Sequence, residues 1–287
     1  MEAKNLSIVI VNYNSPELIA ACLRSIDQHV IGIKKEIIIV DNNSVMNNLG
    51  ALTGQYSDLK VIYLPDNMGF GFANNVGVKN SNNDILLLLN SDTEFIDSSF
   101  NEMFKSFCDA QSCEIWGPRL IYPDGKFQIS YSQEISFSYF MTYYTSLYSF
   151  ITMFDFMNKR KYETQEITSI ASVSNIYGAA VLMRKKDYEA LGGFSRKYFM
   201  YFEDIDFCDR FREHLGGIIK YHPMTTLVHR IKGSSNANSN NSIFFKSKYI
   251  YAANKFGHLA IPVIFILDYI FSCIIIIVRQ IKKISRY

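Results

Sequence analysis

Four short apolar runs, at residues 6–12, 36–40, 61–64 and 84–89, recur through the first third of the chain with helix-forming segments between them. Each is rich in Val, Ile or Leu and lacks the in-out alternation of a half-solvated strand, the pattern of a strand buried on both faces. Strands of this kind alternating with helices predict an α/β fold with a mostly parallel, doubly wound sheet and flanking helices. The first helix is marked by Ser15 as N-cap, Pro16 at its first position and Glu17 in its first turn, with Leu18, Cys22 and Ile26 along one face.

In such a sheet the residues at the carboxyl ends of the strands line the ligand crevice. Asn12, Asp41 and Asp92 all stand there. Turn chemistry accounts for any one of them but poorly for three in a row. Between the third and fourth strands, residues 66–77 form a glycine-permissive loop running into a helix N-terminus, a place suited to a diphosphate. The loop fails the dinucleotide fingerprint: Asn74 stands where the third Gly or Ala belongs, and the segment follows the third strand, not the first. A nucleotide-dependent oxidoreductase is excluded on that ground.

Residues 198–208 place Glu203, Asp204 and Asp206 in an otherwise aromatic and aliphatic run. Carboxylates buried among apolar groups are costly unless they open onto a polar cleft or meet cations, and desolvation raises their pKa toward useful base strength. An acidic opening of a helix over 205–214 is the plainer reading; the aromatic run before it makes Asp204 the candidate general base. Gly178 to Arg184 reads as another central strand and 218–222 as a short one. His229 follows, beside a polar Gly/Ser/Asn tract that runs from Gly233 into the low-complexity residues 236–242 and predicts a mobile lid.

The 287 residues suit one large α/β domain with an appendage. A net charge of +2, from 29 basic against 27 acidic residues, argues against a nucleic-acid partner. The five cysteines show neither CxxC nor metal-finger spacing and read as reduced thiols, and Met1-Glu2-Ala3-Lys4-Asn5 does not resemble a signal peptide. Aromatic content of 15% is high, and much of it crowds into residues 131–157, read either as an insertion packed on the core or as a greasy surface for a lipid-linked partner. Residues 259–278 are almost wholly apolar, interrupted by Pro262, Asp268 and Ser272 and followed by Arg279, Lys282, Lys283 and Arg286. About 20 apolar residues suffice to span a bilayer, but an acid at mid-helix costs about 2.5–3.5 kcal/mol. A helix lying on or dipping into the membrane, with basic residues on anionic headgroups, is preferred to a spanning one; a helix completing the core or a dimer interface is the third option.

Taken in order, IVIVNYN at 8–14, VDNNS at 40–44, NMGFGFANNVG at 67–77, LLLNSD at 87–92, GGF at 192–194, YFMYFEDID at 198–206 and HRIKGS at 229–234 resemble the inverting, metal-dependent family-two glycosyltransferases of the GT-A fold. More narrowly they resemble the rhamnosyltransferases of bacterial O-antigen and related surface polysaccharides. The resemblance implies a glycosyltransferase domain over 1–240, with a nucleotide-sugar half over about 1–95 and an acceptor half over about 96–240, and a membrane-associating helical tail over 241–287. It implies that Asn12, Tyr13, Asn14, Asp41 and Asn43 hold the nucleotide, with Asn67, Gly69, Gly71, Asn75, Asn90 and Ser91 completing the donor site. Asp92 and His229 would bind Mn²⁺ or Mg²⁺, Asp204 would be the base, and Glu203 would position the acceptor. Asn90 departs from a full DxD motif at its first acid, a variant common in the rhamnosyl branch. The expected partners are a dTDP- or UDP-sugar donor, dTDP-rhamnose first, and a polyprenyl-diphosphate-linked glycan acceptor at the cytoplasmic face of the plasma membrane. A UDP-hexose transferase of the same fold and a catalytically silent glycan-assembly subunit are the alternatives.

Overall fold

In the computed structural model, which describes residues 4–45, 49–56, 59–110, 112–147, 166–230 and 237–284, the run at 6–12 is strand β1 (Leu6–Asn12), buried at every position. It lies between β2 (Lys35–Asp41) and β4 (Ile85–Asn90), parallel to both, and β3 (Leu59–Tyr63) extends the parallel set beyond β2. Successive side chains of β1 and β2 divide between two cores. Ile8, Ile10, Ile37 and Ile39 join one with helices α1 (Pro16–His29) and α4 (Ser99–Asp109). Val9, Val11, Ile38 and Val40 join the other with α3 (Phe70–Lys79). This period-2 division is why the strands carry no apolar-polar alternation: both faces are covered. Helix α1 buries Ile19, Cys22, Leu23 and Ile26, with Leu18 at the margin of that face. A short helix, α2 (Gly50–Thr53), precedes β3.

Beyond β4 the sheet changes direction, so it is mixed rather than uniformly parallel. Its order is β3-β2-β1-β4-β11-β6-β12-β5, where β5 is Thr93–Phe95, β6 is Glu114–Ile121, β11 is Ala180–Arg184 and β12 is Ile218–His229. Strand β11 is antiparallel to β4 and β6, β12 is parallel to β6, and β5 is antiparallel to β12. Strand β7 (Phe127–Gln128) pairs with β6, β9 (Ala171–Val173) pairs with β12, and β8 (Tyr131–Ser132) with β10 (Asn175–Ile176) makes a separate ladder. Strand β12 runs seven residues past the predicted end at His222, through a register shift between His222 and Thr226 that accommodates Pro223. Helices α6 (Lys185–Ala190) and α7 (Glu203–Leu215) complete the layer over β11 and β10. The chain leaves β1 for β2 on one side, while β4 lies on the other; the crevice of a doubly wound sheet opens at that switch point, between the carboxyl ends of β1 and β4.

Two compact units are present, Met1–Gln133 with Glu166–Phe244, and Glu134–Gln165 with Phe245–Tyr287. The first holds the sheet. Residues 237–242 open the helix α8 (Ala237–Phe256), so this part of the polar tract is helical and not a loop; 231–236 lie outside the described residues. In the second unit, α5 (Phe137–Tyr143) buries Phe140 against Tyr251 and Phe256, and residues 148–157 of the aromatic segment lie outside the described residues. Helix α9 (Ala260–Ile284) carries the apolar run, and its stretch Ala260–Val278, of mean hydropathy 2.7, is long and apolar enough to cross a membrane. Asp268, the acid within it, is turned inward. It pairs with the fully buried Lys248, accepts from Tyr249 Oη at 2.9 Å and from the Ser146 amide at 2.7 Å. Val263, Ile266, Ile270, Ile277 and Ile281 are exposed, so the helix has a satisfied polar face and a bare apolar one.

Candidate functional site

The floor of the crevice is a hydrogen-bonded network at the ends of β1 and β2. Asn12 is buried; its Nδ2 donates to Asp41 Oδ2 at 2.6 Å and to Ser44 Oγ at 3.1 Å, and its Oδ1 accepts from Ser15 N and Oγ. Asp41 Oδ1 accepts from Ser44 N at 2.9 Å, so both of its oxygens shape the following loop. Ser44 Oγ also accepts from the Asn14 amide at 2.9 Å. Asn14 and Asn43 take positive φ, 53° and 62°, a conformation that asparagine tolerates better than most residues because its amide bonds locally. Between them these bends leave Asn43 exposed and Tyr13 and Asn14 half-buried around a polar floor. Asn42 reaches across to the loop before α3, donating to Asn67 Oδ1 at 2.8 Å and accepting from the Met68 amide at 2.9 Å.

The β1–β4 pairing brings the second element alongside. Val11 is opposite Asn90, and Ser15 Oγ lies 3.4 Å from Ser91 Oγ. Here Ser15 is directed to Asn12 and Ser91 rather than capping α1. One residue on, the β5–β12 ladder sets Thr93 opposite His229 and so carries Asp92 to the histidine. Asp92 Oδ1 is 3.2 Å from His229 Nε2, with both side chains largely enclosed. Asn90 Nδ2 is 3.4 Å from the same nitrogen, and Asn90 Oδ1 is buried without a hydrogen-bond partner among the described residues. Gln128 Nε2 is 2.9 Å from the other ring nitrogen, Nδ1.

A carboxylate oxygen close to an imidazole nitrogen, with the Asn90 amide beside them, suits a divalent cation of the Mg²⁺ or Mn²⁺ kind. Among the described residues no three acidic, His or Cys side chains gather, so this pair leaves most coordination positions for other oxygens.

The third element is the start of α7. Asp204 Oδ2 accepts from the Gly178 amide at 2.8 Å and Oδ1 from the Ile205 amide at 2.8 Å. Ala179, next to Gly178, accepts from the Asn90 amide at 2.8 Å. Two adjacent residues thus tie the acid to the Asn90–Asp92 turn. Glu203 is buried beside Asp204, and its Oε2 has no hydrogen-bond partner among the described residues. The two residues before it, Tyr201 and Phe202, hold φ at 71° and 68°. Consecutive bulky residues in that region cost of order 1–3 kcal/mol each and cluster at functional sites. Phe244 packs on both rings, with centroids at 5.8 and 5.5 Å. Asp206 is structural: it accepts from Tyr198 Oη at 3.1 Å and from Arg210 Nε at 2.8 Å, while the same guanidinium donates to the Leu191 and Gly193 carbonyls.

Not every expected donor residue faces the crevice. Asn75 Oδ1 accepts from Tyr188 Oη and the Phe194 amide, and its Nδ2 donates to the Phe194 carbonyl, so its amide ties α3 to the turn before residue 198. At Gly69 (φ 87°) a Cβ would lie 2.2 Å from the Phe199 carbonyl oxygen, and at Gly71 it would lie 3.0 Å from Phe194 Cβ and 3.6 Å from Glu203 Cβ. Both glycines permit the loop to press against residues 194–203. Ser44, Asn42 and Gln128 were not singled out by sequence reasoning; the first two lie within polar turns that hide them, and nothing in the sequence near Gln128 marks it.

Burial, reinforced by the Asp204 charge, pushes Glu203 up to about 8, and burial raises Asp204 as well against its two amide donors. An unfolded glutamate titrates near about 4.3. Between there and about 8 the folded protein therefore holds a proton that the unfolded chain releases, so stability falls as pH rises through that window and levels off above it. Glu203→Gln is expected to flatten this slope, by several kcal/mol across the window at about 1.4 kcal/mol per unit. Urea midpoints of both proteins from pH 5 to pH 9 check it; equal slopes would count against a protonated Glu203.

The profile of Glycosyl transferase family 2 matches residues 7–192. The chain is 25% identical over 212 residues to the low-salt glycan biosynthesis hexosyltransferase Agl10 of Haloferax volcanii, covering 72% of this chain and 62% of that protein. It is 23% identical over 232 residues to an N-acetylglucosaminyl-diphospho-decaprenol L-rhamnosyltransferase of Mycobacterium tuberculosis, covering 76% and 75%. The crystal structure of GalNAc-T7 with UDP, GalNAc and Mn²⁺ superposes with a TM-score of 0.59 at 13% identity, over 88% of this chain and 51% of that one. At such identity the superposition speaks for the fold.

Proposed function

Since the chain belongs to glycosyl transferase family 2 and is a glycosyltransferase with GT-A fold neighbours, we propose that it transfers a sugar with inversion from a nucleoside diphosphate sugar to a lipid-linked surface-polysaccharide intermediate, with L-rhamnose from dTDP-rhamnose the leading donor. The observation that carries the reading is the bond from the Gly178 amide to Asp204, which sets a half-buried carboxylate beside the turn bearing Asp92. A single in-line displacement needs one base for the acceptor hydroxyl and relief of charge on the leaving diphosphate. Asp204 takes the hydroxyl proton as the new glycosidic bond forms and the bond to the diphosphate breaks. Glu203, neutral below about pH 8, leaves the negative charge of the pair to Asp204 and positions the acceptor. Asn12, Tyr13, Asn14 and Asn43 bind the nucleoside above Asp41, while Asn67, Asn90 and Ser91 border the diphosphate and sugar. Asp92 and His229 hold Mn²⁺ or Mg²⁺, which when bound offsets the diphosphate charge.

A rhamnosyl donor draws support from the name of the Mycobacterium tuberculosis relative, and a hexosyl donor from that of the Haloferax volcanii protein. Thermal shift with dTDP-rhamnose, UDP-hexoses and the bare nucleotides, with and without Mn²⁺, separates them. A ligand at 100 times its Kd stabilises by about 2.7 kcal/mol. Mn²⁺-dependent stabilisation by dTDP-rhamnose is the expected result, a UDP-only response moves the assignment to a hexose, and no response to any nucleotide overturns the enzyme reading.

The enzyme works on the membrane, at its cytoplasmic face, as a peripheral or monotopic protein. The bare apolar face of α9 supports this, together with the basic residues at 279, 282, 283 and 286 and the decaprenol-linked substrate in the Mycobacterium tuberculosis relative's name. The protein should co-sediment with phosphatidylglycerol-containing vesicles and less with neutral ones; extraction from membranes by alkaline carbonate would exclude a spanning helix, and resistance to it would favour one.

A further inference from the structure

Gln128 contacts the edge of His229 that faces away from Asp92. Its strand β7 pairs with β6 through Leu120, and Leu120 is in turn opposite Leu227 on β12, two residues before His229. Gln128 is buried; its Nε2 is 2.9 Å from His229 Nδ1, and its Oε1 has no hydrogen-bond partner among the described residues.

A neutral imidazole carries one proton, on either nitrogen. With the Gln128 amide nitrogen donating to Nδ1, the ring proton sits on Nε2 and is donated to Asp92 Oδ1 at 3.2 Å. In that tautomer Nε2 has no lone pair for a cation, and the Asn90 Nδ2 at 3.4 Å meets an N–H instead of an acceptor. A half-turn of the Gln128 amide exchanges its nitrogen and oxygen. Oε1 then accepts from Nδ1–H, and the Nε2 lone pair is released toward Asp92 and Asn90. A matching turn of Asn90 brings in its own unpartnered oxygen. Native proteins leave few buried polar atoms unsatisfied, and here two of them belong to the two amides that contact one imidazole, Asn90 at Nε2 and Gln128 at Nδ1.

We infer that Gln128 is a positioning residue that lets His229 alternate between hydrogen-bond donor to Asp92 and cation ligand, because its amide supports the ring in either tautomer. One proton leaves Nε2 and one is gained at Nδ1, so the change releases none. Histidine ligands are commonly held by an acceptor on their far nitrogen, and loss of such an acceptor weakens metal binding about 10–100-fold. The inference rests on the divalent-cation reading above.

Gln128→Leu supports neither tautomer, whereas Gln128→Glu supplies an acceptor and favours Nδ1–H. Mn²⁺ binding to the full chain, followed by electron paramagnetic resonance with UDP and with dTDP, is expected to weaken about 10–100-fold in Gln128→Leu and to stay at or above the wild-type level in Gln128→Glu. A side chain that merely fills space would rank the charged variant below leucine. Imidazole ¹⁵N spectra give a second readout. In wild type the His229 proton should move from Nε2 to Nδ1 on adding Mg²⁺ with nucleotide, and in Gln128→Glu it should already be on Nδ1 before addition. Wild-type Mn²⁺ binding matched by Gln128→Leu, or a proton that stays on Nε2 in Gln128→Glu, overturns the inference alone. Absence of Mn²⁺ binding by wild type with either nucleotide overturns the cation reading and this inference together.

Discussion

Asp204→Asn should lower turnover by about 10²–10⁴-fold, the range for removing a positioned general base, while leaving donor binding within a few-fold of wild type. The substitution keeps the shape of the side chain but removes the proton acceptor. It also leaves one of the two amides, Gly178 or Ile205, facing an NH₂ group where it now meets a carboxylate oxygen. An unpaired buried donor costs about 1–3 kcal/mol; relief of a desolvated charge, whose pKa burial has already raised, offsets part of that. Thermal stability should therefore shift by only a few degrees. Nucleotide-induced stabilisation should survive, since the bonds of Asn12, Asp41 and Ser44 to one another do not involve α7. Steady-state kinetics with the donor that gives the largest shift, alongside binding of the bare nucleotide, test this. Turnover within tenfold of wild type would remove Asp204 from the chemistry, and joint loss of turnover and nucleotide binding would make it a structural residue.

What could be read in the sequence followed from what apolar patterning encodes. The run at 6–12 announces a strand covered on both faces, and the structure divides Ile8 and Ile10 from Val9 and Val11 into two cores. The same pattern carries no strand direction, so the antiparallel insertion of β11 between β4 and β6 was not legible; five apolar residues read alike whichever way they run. The strand read over 218–222 stops short of Pro223, which lacks an amide, whereas β12 continues past it through a register shift between His222 and Thr226. The Asn- and Ser-rich residues 237–242 have weak helix propensity, which context overrides. In the candidate site, three acids within an aromatic run were enough to mark the segment, yet not to divide the labour. Arg210 and Tyr198 claim Asp206, whereas Gly178 claims Asp204, and those partners lie 4, 8 and 26 residues away. Gln128 was beyond sequence reasoning because its only distinguishing feature is a neighbour 101 residues on.

Gly69→Ala should be among the most damaging single-methyl changes in the chain, and through packing, not through loss of a phosphate contact. Gly69 has φ 87° and ψ 166°, a region that is essentially glycine's alone and costs other residues of order 1–3 kcal/mol. The added Cβ would lie 2.2 Å from the Phe199 carbonyl oxygen and 2.9 Å from its carbonyl carbon and Cα, all backbone atoms that cannot swing aside. Phe199 and the loop must separate, and the bond from the Phe70 amide to Phe199 O, now 2.9 Å, is lost with them. Backbone strain and that bond together predict a loss of about 2–4 kcal/mol. Phe199 precedes Glu203 by four residues, through the strained pair Tyr201 and Phe202, so displacement there is transmitted to the base. A shift of about 1 Å at a reacting group costs on the order of 10²-fold in rate. Gly32→Ala is the control, because Gly32 also has a positive φ, 72°, but its Cβ would meet open space; it should show the conformational penalty and no change in rate. Urea unfolding and kcat/KM of the two variants decide the matter. Parity between them would refute the packing role, and a rise in donor KM at unchanged kcat and stability would return Gly69 to the donor site, whereas a fall in kcat with the nucleotide affinity retained locates its function in holding residues 198–204 where Asp204 can work.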